Sequence, residues 1–476
     1  MKLQEKRTKI VATIGPVTES QKMLEKLLKA GLNVIRMNFS HGDFAEHQRK
    51  IDNGRAASKK TGLPVAFLQD LGGPKIRIGT FYNDADKRIT LKKGQKFTLT
   101  SRNVEGTQEI ASITYKKLPK EVKKGETILI DDGKKRLEII EVKGTDIICK
   151  VIVGGDTKGR RGVNLPNTDL SISALTPKDM KDLEFGIEND VDFFALSFVR
   201  RSADIKKLRN ILEKRGSKAH IIAKVETPQA VENIDEIIEL SDGIMVARGD
   251  LAIEVPAEEV PLIQKMIIQK CNQAGKPVIT ATQMLESMIS SPVPTRAEVS
   301  DIANAIIDGT DAIMLSEETT LGEYPVESVN VMSRVARHTE SEYVIEETGM
   351  DDFVLEDDVA RAITSGALHV ADEVGSNYIV CITEKGYIAR LVSRYKPYQN
   401  IVAITPNQKI SNQLQLSYGV NSVVLKMSLD LSVKIEMIRE LFAKNKWAKM
   451  GDKIIIISDI PFGKKTRTSA TIIETI

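Results

Sequence analysis

The chain has 476 residues, 41% hydrophobic and 28% charged, a soluble globular balance that predicts roughly two to four domains. Its 68 Lys and Arg against 65 Asp and Glu leave a formal charge of +3, too small a surplus to make nucleic acid or an anionic membrane the main partner. The opening MKLQEKRTKIVATIG lacks a signal-peptide core, no apolar run nears the roughly 20 residues of a spanning helix, and Cys149, Cys271 and Cys381 lack metal spacing, so a cytoplasmic protein with reduced thiols is expected.

In chain order, apolar runs of strand length fall at 9–15 (KIVATIG), 33–39 (NVIRMNF) and 64–70 (PVAFLQD). They resume at 193–198 (FFALSF), 220–226 (HIIAKVE), 243–249 (GIMVARG), 277–283 (PVITATQ) and 311–316 (DAIMLS). Segments such as SQKMLEKLLKAG and SADIKKLRNILEKRG carry apolar residues at helical spacing and end at glycine. Eight such units predict a (β/α)8 TIM barrel rather than an open doubly wound sheet, with its first part in residues 1–72 and its second in 170–340. Between the two parts, residues 73–169 alternate in β fashion (RITLKKGQKFTLT, GETILIDDGKKRLEIIEV) between Pro74 and Pro166. That stretch predicts a small inserted β-barrel domain, placed to serve as a lid. Residues 341–476 open on an acidic stretch, then alternate helix and strand (SNYIVCIT, NIVAIT, NSVVLK, DKIIIIS), and predict a separate C-terminal α/β domain.

Side chains two apart on a strand share a face, so Arg36, Asn38 and Ser40 point together near the end of the second strand. A cation, an amide and a hydroxyl there suit a phosphate or a metal ion, or equally a polar layer that satisfies itself. Lys224 and Glu226 share a face at the end of an otherwise apolar fifth strand, where burying either alone is costly. A structural ion pair is one reading. The other gains from Asp250 at the end of the next unit, because two carboxylates from neighbouring strands make an oxygen site for Mg2+. The amides of Gly249 and Asp250 can bind a carboxylate if they open a helical turn. Thr282, Ser316 and Glu318 fall at the same end of the seventh and eighth units.

The segment AHIIAKVETPQAV resembles the active-site signature of the pyruvate kinase family along its whole length. RMNFSHG, GGPKIRIG, MVARGDLA, ATQMLESM, PTRAEVSDIANAIIDGTDAIMLSEET and SRYKP resemble further blocks of that family, in its order. The resemblance implies phosphoryl transfer from phosphoenolpyruvate to ADP, giving pyruvate and ATP, in an allosteric homotetramer. It implies that Lys224 neutralises the phosphoryl group in flight and that Glu226 and Asp250 hold Mg2+ or Mn2+. Arg36, Lys224, Gly249, Asp250 and Thr282 would bind substrate, with Arg77, His41 and Asn38 on the nucleotide side. Thr282, Ser316 and Glu318 would serve protonation of the enolate, and Asp132 is either a lid contact to nucleotide or a solvated turn. His47, His220, His338 and His369 receive no role.

Departures from the family carry expectations of their own. Many members hold K+ through residues matching Asn38, Ser40 and Asp70 and a backbone carbonyl, with an acid where this chain has Lys75 and with Thr and Lys where it has Leu71 and Gly72. A lysine ammonium supplies the positive charge of K+, so K+ is expected not to be required. Glu317, where a small residue is common, is expected to be tolerated. In the last domain Glu384, Lys385 and Tyr387 replace a hydroxyl-rich phosphate turn, which speaks against activation by fructose 1,6-bisphosphate. Lys464, Lys465 and Arg467 offer another phosphorylated effector a landing place, or are simply a basic solvated turn.

Overall fold

In a computed structural model the protein is described over residues 3–84, 86–343, 358–428, 430–459 and 468–476. Eight parallel strands close into a barrel: Lys9–Thr13, Val34–Asn38, Ala66–Asp70, Phe193–Leu196, His220–Val225, Gly243–Ala247, Val278–Ala281 and Ala312–Leu315. Closure is made by the first strand lying beside the eighth, Lys9 opposite Ala312. These strands are buried on both faces, which is why they read as continuous apolar runs. Inward residues such as Val11, Phe193, Ile222, Met245 and Met314 fill the interior.

Local signals set the helices. Ser20 caps Gln21–Ala30 by accepting from the Met23 amide, and Gly31 ends it at φ 116°, a left-handed conformation favouring glycine. Capping boxes start Pro177–Glu188 (Thr176 with Asp179) and Arg296–Ile307 (Thr295 with Glu298).

The insertion forms a half-barrel: a six-stranded sheet and a two-stranded ribbon share one core built on Phe97, Leu99, Ile128, Leu137 and Cys149. The C-terminal domain is a five-stranded sheet, parallel except for its last strand, Thr468–Thr475. It docks on the amino-terminal face of the barrel. Leu416 joins the barrel's interior cluster as a plug, Lys396 pairs with Asp311 at 2.9 Å, and Lys9 donates to the Val420 carbonyl at 2.7 Å. The three cysteines are free and buried, and burial pushes their thiols up. No helix among the described residues is long and apolar enough to cross a membrane.

Candidate active site

The docked domain covers the amino-terminal face, and the carboxyl ends of the strands gather the polar residues. Lys224 is the hub. Its Nζ lies 2.8 Å from Glu226 Oε1, 3.2 Å from Asp70 Oδ1 and 2.8 Å from Ser197 Oγ. Asp70, at the end of the third strand, also accepts from Arg36 Nε at 2.8 Å and pairs with its Nη2 at 2.7 Å, while Arg36 Nη1 donates to Thr13 Oγ1 at 2.6 Å. Thr13, Arg36, Asp70, Ser197 and Lys224 thus bring one member each from the first to the fifth strands or the residue just beyond them.

Each charge answers to its neighbours. Burial alone would raise the Asp70 carboxyl, but Lys224 and Arg36 hold it below the usual carboxylate range. Burial alone would neutralise Lys224, but Asp70 and Glu226 keep its ammonium above its ordinary value. Glu226 is 1% exposed and accepts from the Phe198 amide at 2.8 Å. Burial, with repulsion from Asp250, raises it despite Lys224. Glu226 is buried while half-buried Asp250 lines the cavity beside it, and a cation between them would relieve their repulsion; two acids plus substrate and water oxygens are a donor set that fits Mg2+.

Beyond the sixth strand, Arg248–Glu254 forms a short helix, so Gly249 and Asp250 do open a helical turn. The Gly249 amide here donates to Thr282 Oγ1 at 2.8 Å. A substrate carboxylate would therefore compete with Thr282 for it. Thr282 adopts φ 72°, a costly left-handed conformation for a β-branched residue, with Arg248 Nη2 donating to its carbonyl at 2.7 Å and Arg248 in turn pairing with Asp301. Glu318 is 2% exposed and straps two loops together, accepting from the Leu285 amide at 3.1 Å and the Ser316 amide at 2.7 Å. Burial raises its carboxyl.

The lid roofs a cavity of about 220 Å³ lined by Lys75, Arg77, Asp132, Arg161, Asp250 and Glu254, among others. A neighbouring cavity of about 330 Å³ shares Lys75 and Arg77 and adds Ser40, Tyr115 and Lys178. Arg77 Nη1 donates to the Arg160 carbonyl at 2.9 Å, and Asn38 Oδ1 accepts from the Ser40 amide at 3.0 Å. Lys75 and His41 are exposed, and His41 lies outside both cavity walls. Glu317 is exposed at the start of its short helix. In the last domain Glu384 and Lys385 are exposed before helix Tyr387–Ser393, while Lys464, Lys465 and Arg467 lie outside the described residues.

Four residues join the site without a motif to announce them. Ser197 follows Ala195 by two and so faces inward, a signal present in the strand pattern. Arg161 reaches Asp131 from the far end of the lid at 3.1 Å. Arg200 donates through Nη1 to the Leu170 carbonyl at 2.6 Å and through Nη2 to that of Ile172. Glu254 accepts from Asn164 Nδ2 at 2.8 Å, ninety positions away in sequence. Glu254 holds the return strand of the lid to the barrel, and Arg200 holds the linker that follows it.

A closed parallel barrel with a buried ammonium and paired acids at its carboxyl-terminal mouth, under a β lid rich in basic residues, defines an enzyme acting on small anionic substrates. The family model described as "Pyruvate kinase, barrel domain" matches residues 5–329, and "Pyruvate kinase, alpha/beta domain" matches 361–473. A pyruvate kinase of Staphylococcus saprophyticus is 44% identical, covering 98% of this chain and 79% of the relative. One from Clostridium perfringens is 43% identical, covering 99% and 100%. The crystal structure of a pyruvate kinase from Cryptosporidium parvum superposes with a TM-score of 0.94 at 38% identity, covering 99% of this chain and 96% of that one. The chain belongs to the pyruvate kinase family and is a phosphotransferase of that type.

Proposed function

We propose that the chain transfers the phosphoryl group of phosphoenolpyruvate to ADP, using Mg2+ or Mn2+ held by Glu226 and Asp250, and that it does so without K+. The observation that carries this reading is Lys224, held charged between Asp70 and Glu226 at the mouth of the barrel. In the transfer, the bond from phosphorus to the enol oxygen breaks and a bond to an oxygen of the ADP β-phosphate forms. Lys224 balances charge on the migrating group, and Arg36 turns part of its guanidinium to the same phosphate. The divalent ion would neutralise substrate oxygens and fix the geometry of the donor. Asp250 and Gly249 offer amides to the substrate carboxylate. Arg77 and the Asn38–His41 loop face the nucleotide, and the lid excludes water so that ADP is the acceptor.

The enolate left behind takes a proton at its methylene carbon. Thr282 is the nearest hydroxyl on this reading, with Ser316 and Glu318 keeping the loops beside it in register. Independence from K+ draws support from the state of the residues that would hold it. Both Asp70 oxygens engage Arg36 or Lys224, Asn38 Oδ1 is taken by the Ser40 amide, and the Leu71 carbonyl accepts from Ser197 Oγ at 2.8 Å. Lys75 lines the adjoining cavities and supplies a fixed positive charge. A cytoplasmic homotetramer belongs to the same reading. The experiment is a lactate-dehydrogenase-coupled assay with phosphoenolpyruvate and ADP. Lys224→Met should lower turnover by at least about 1,000-fold, and a variant retaining a tenth of the activity would sink the assignment.

A further inference from the structure

The end of the second barrel strand and the loop after it carry Asn38, Ser40 and His41, and this segment is pinned from outside by two residues. Lys178 Nζ donates to the Phe39 carbonyl at 2.6 Å. His47, on the first turn of helix Phe44–Thr61, reaches the His41 carbonyl with Nε2 at 3.0 Å. Its ring also lies flat on Phe39, with centroids 3.8 Å apart and planes 11° apart. Phe185 meets the same Phe39 ring at 5.6 Å.

His47 is 1% exposed. Burial and nearby Lys50 push its imidazole down to about 4, so the ring is neutral. A carbonyl can only accept, so the single ring hydrogen sits on Nε2. Nδ1 is then an acceptor, and it is buried with no hydrogen-bond partner. The geometry thus fixes one tautomer and aims it at one carbonyl. That carbonyl belongs to the residue read here as facing the nucleotide.

We infer that His47 is a positioning residue for the nucleotide. It acts through the His41 carbonyl and the Phe39 ring, holding the Asn38–His41 loop in the shape that receives ADP. It touches no substrate. The two contacts are separable, because phenylalanine keeps the stacked ring and loses the Nε2 hydrogen, whereas glutamine keeps a donor and loses the ring. The inference rests on the nucleotide-side reading of this loop, so the test includes that reading as a control.

Steady-state kinetics of the full-length enzyme would compare His47→Phe, His47→Gln and His41→Ala with wild type. His47→Phe should raise KM for ADP about 5- to 10-fold, with kcat and KM for phosphoenolpyruvate within about twofold. His47→Gln should recover part of that loss. If His41→Ala raises KM for ADP and His47→Phe does not, the positioning role is refuted and the loop reading stands. If His47→Phe shifts KM for ADP while His41→Ala does not, the positioning role stands, because His41→Ala keeps the backbone carbonyl and the Phe39 ring through which His47 acts. Equal losses in kcat and in both KM values would mark a merely structural residue and overturn the inference. Should His47→Phe fail to fold, solid-state NMR of [15N]histidine-labelled wild type decides: Nε2–H supports the role, and Nδ1–H ends it.

Discussion

The substitution Glu254→Gln should remove a pH dependence that the wild-type enzyme carries at the seam between barrel and lid. The Glu254 carboxyl is pushed from its ordinary 4.5 up to about 7, first by burial and then by Asp250 and Glu226, against the opposing hydrogen bond from Asn164. The folded state therefore keeps a proton that the unfolded chain has already released near 4.5. The stabilisation is complete below that value and is lost as pH rises through about 7. The difference between 4.5 and about 7 corresponds to roughly 3 kcal/mol before screening, and the side chain's partial exposure reduces this to about 2 kcal/mol. The substituted amide would still accept from Asn164 and would have no charge to desolvate. Thermal midpoints measured in chelator from pH 5 to 8.5 provide the assay. Variant and wild type should coincide near pH 5 and separate by a few degrees at pH 8.5, the variant being the more stable. Curves that stay parallel across the range would refute the reasoning.

Other consequences of the geometry can be measured as directly. Lys75→Glu should make the enzyme depend on K+, with about tenfold activation by KCl in tetramethylammonium buffer, whereas wild type changes by less than about twofold; a wild type strongly activated by KCl defeats this. Arg200→Met removes the donor from the half-buried carbonyls of Leu170 and Ile172 and should cost roughly 1–3 kcal/mol. Limited proteolysis near the lid's return strand, compared with wild type, checks that loss. Lys396→Met leaves Asp311 buried without its ammonium partner at the barrel–C-domain seam and should cost about 3–5 kcal/mol, read from denaturant unfolding. Adding Asp311→Asn should restore part of it.

The chemistry at the barrel mouth was legible where it depends on strand parity. Lys224 and Glu226 sit two apart at the end of an apolar strand, and that spacing alone puts them on one face. The break from barrel strands to alternating β texture near Pro74 was equally local. Arg200 was not legible, because nothing in SFVRR says that its guanidinium turns back to carbonyls of the preceding linker. His47 received no role from the sequence, since the ring that gives it meaning, Phe39, belongs to another element.

By itself, then, the sequence determined the eight barrel strands, the inserted and terminal domains, and which residues stand at the strand ends, since apolar periodicity and capping act over a few residues. Tertiary structure alone decided that Asp70 joins Arg36 to Lys224, that Glu254 meets Asn164, that Thr282 is held left-handed, and that Leu416 plugs the barrel floor. Those pairings join residues far apart in the chain, and burial sets their strength by deciding how much water remains between the charges.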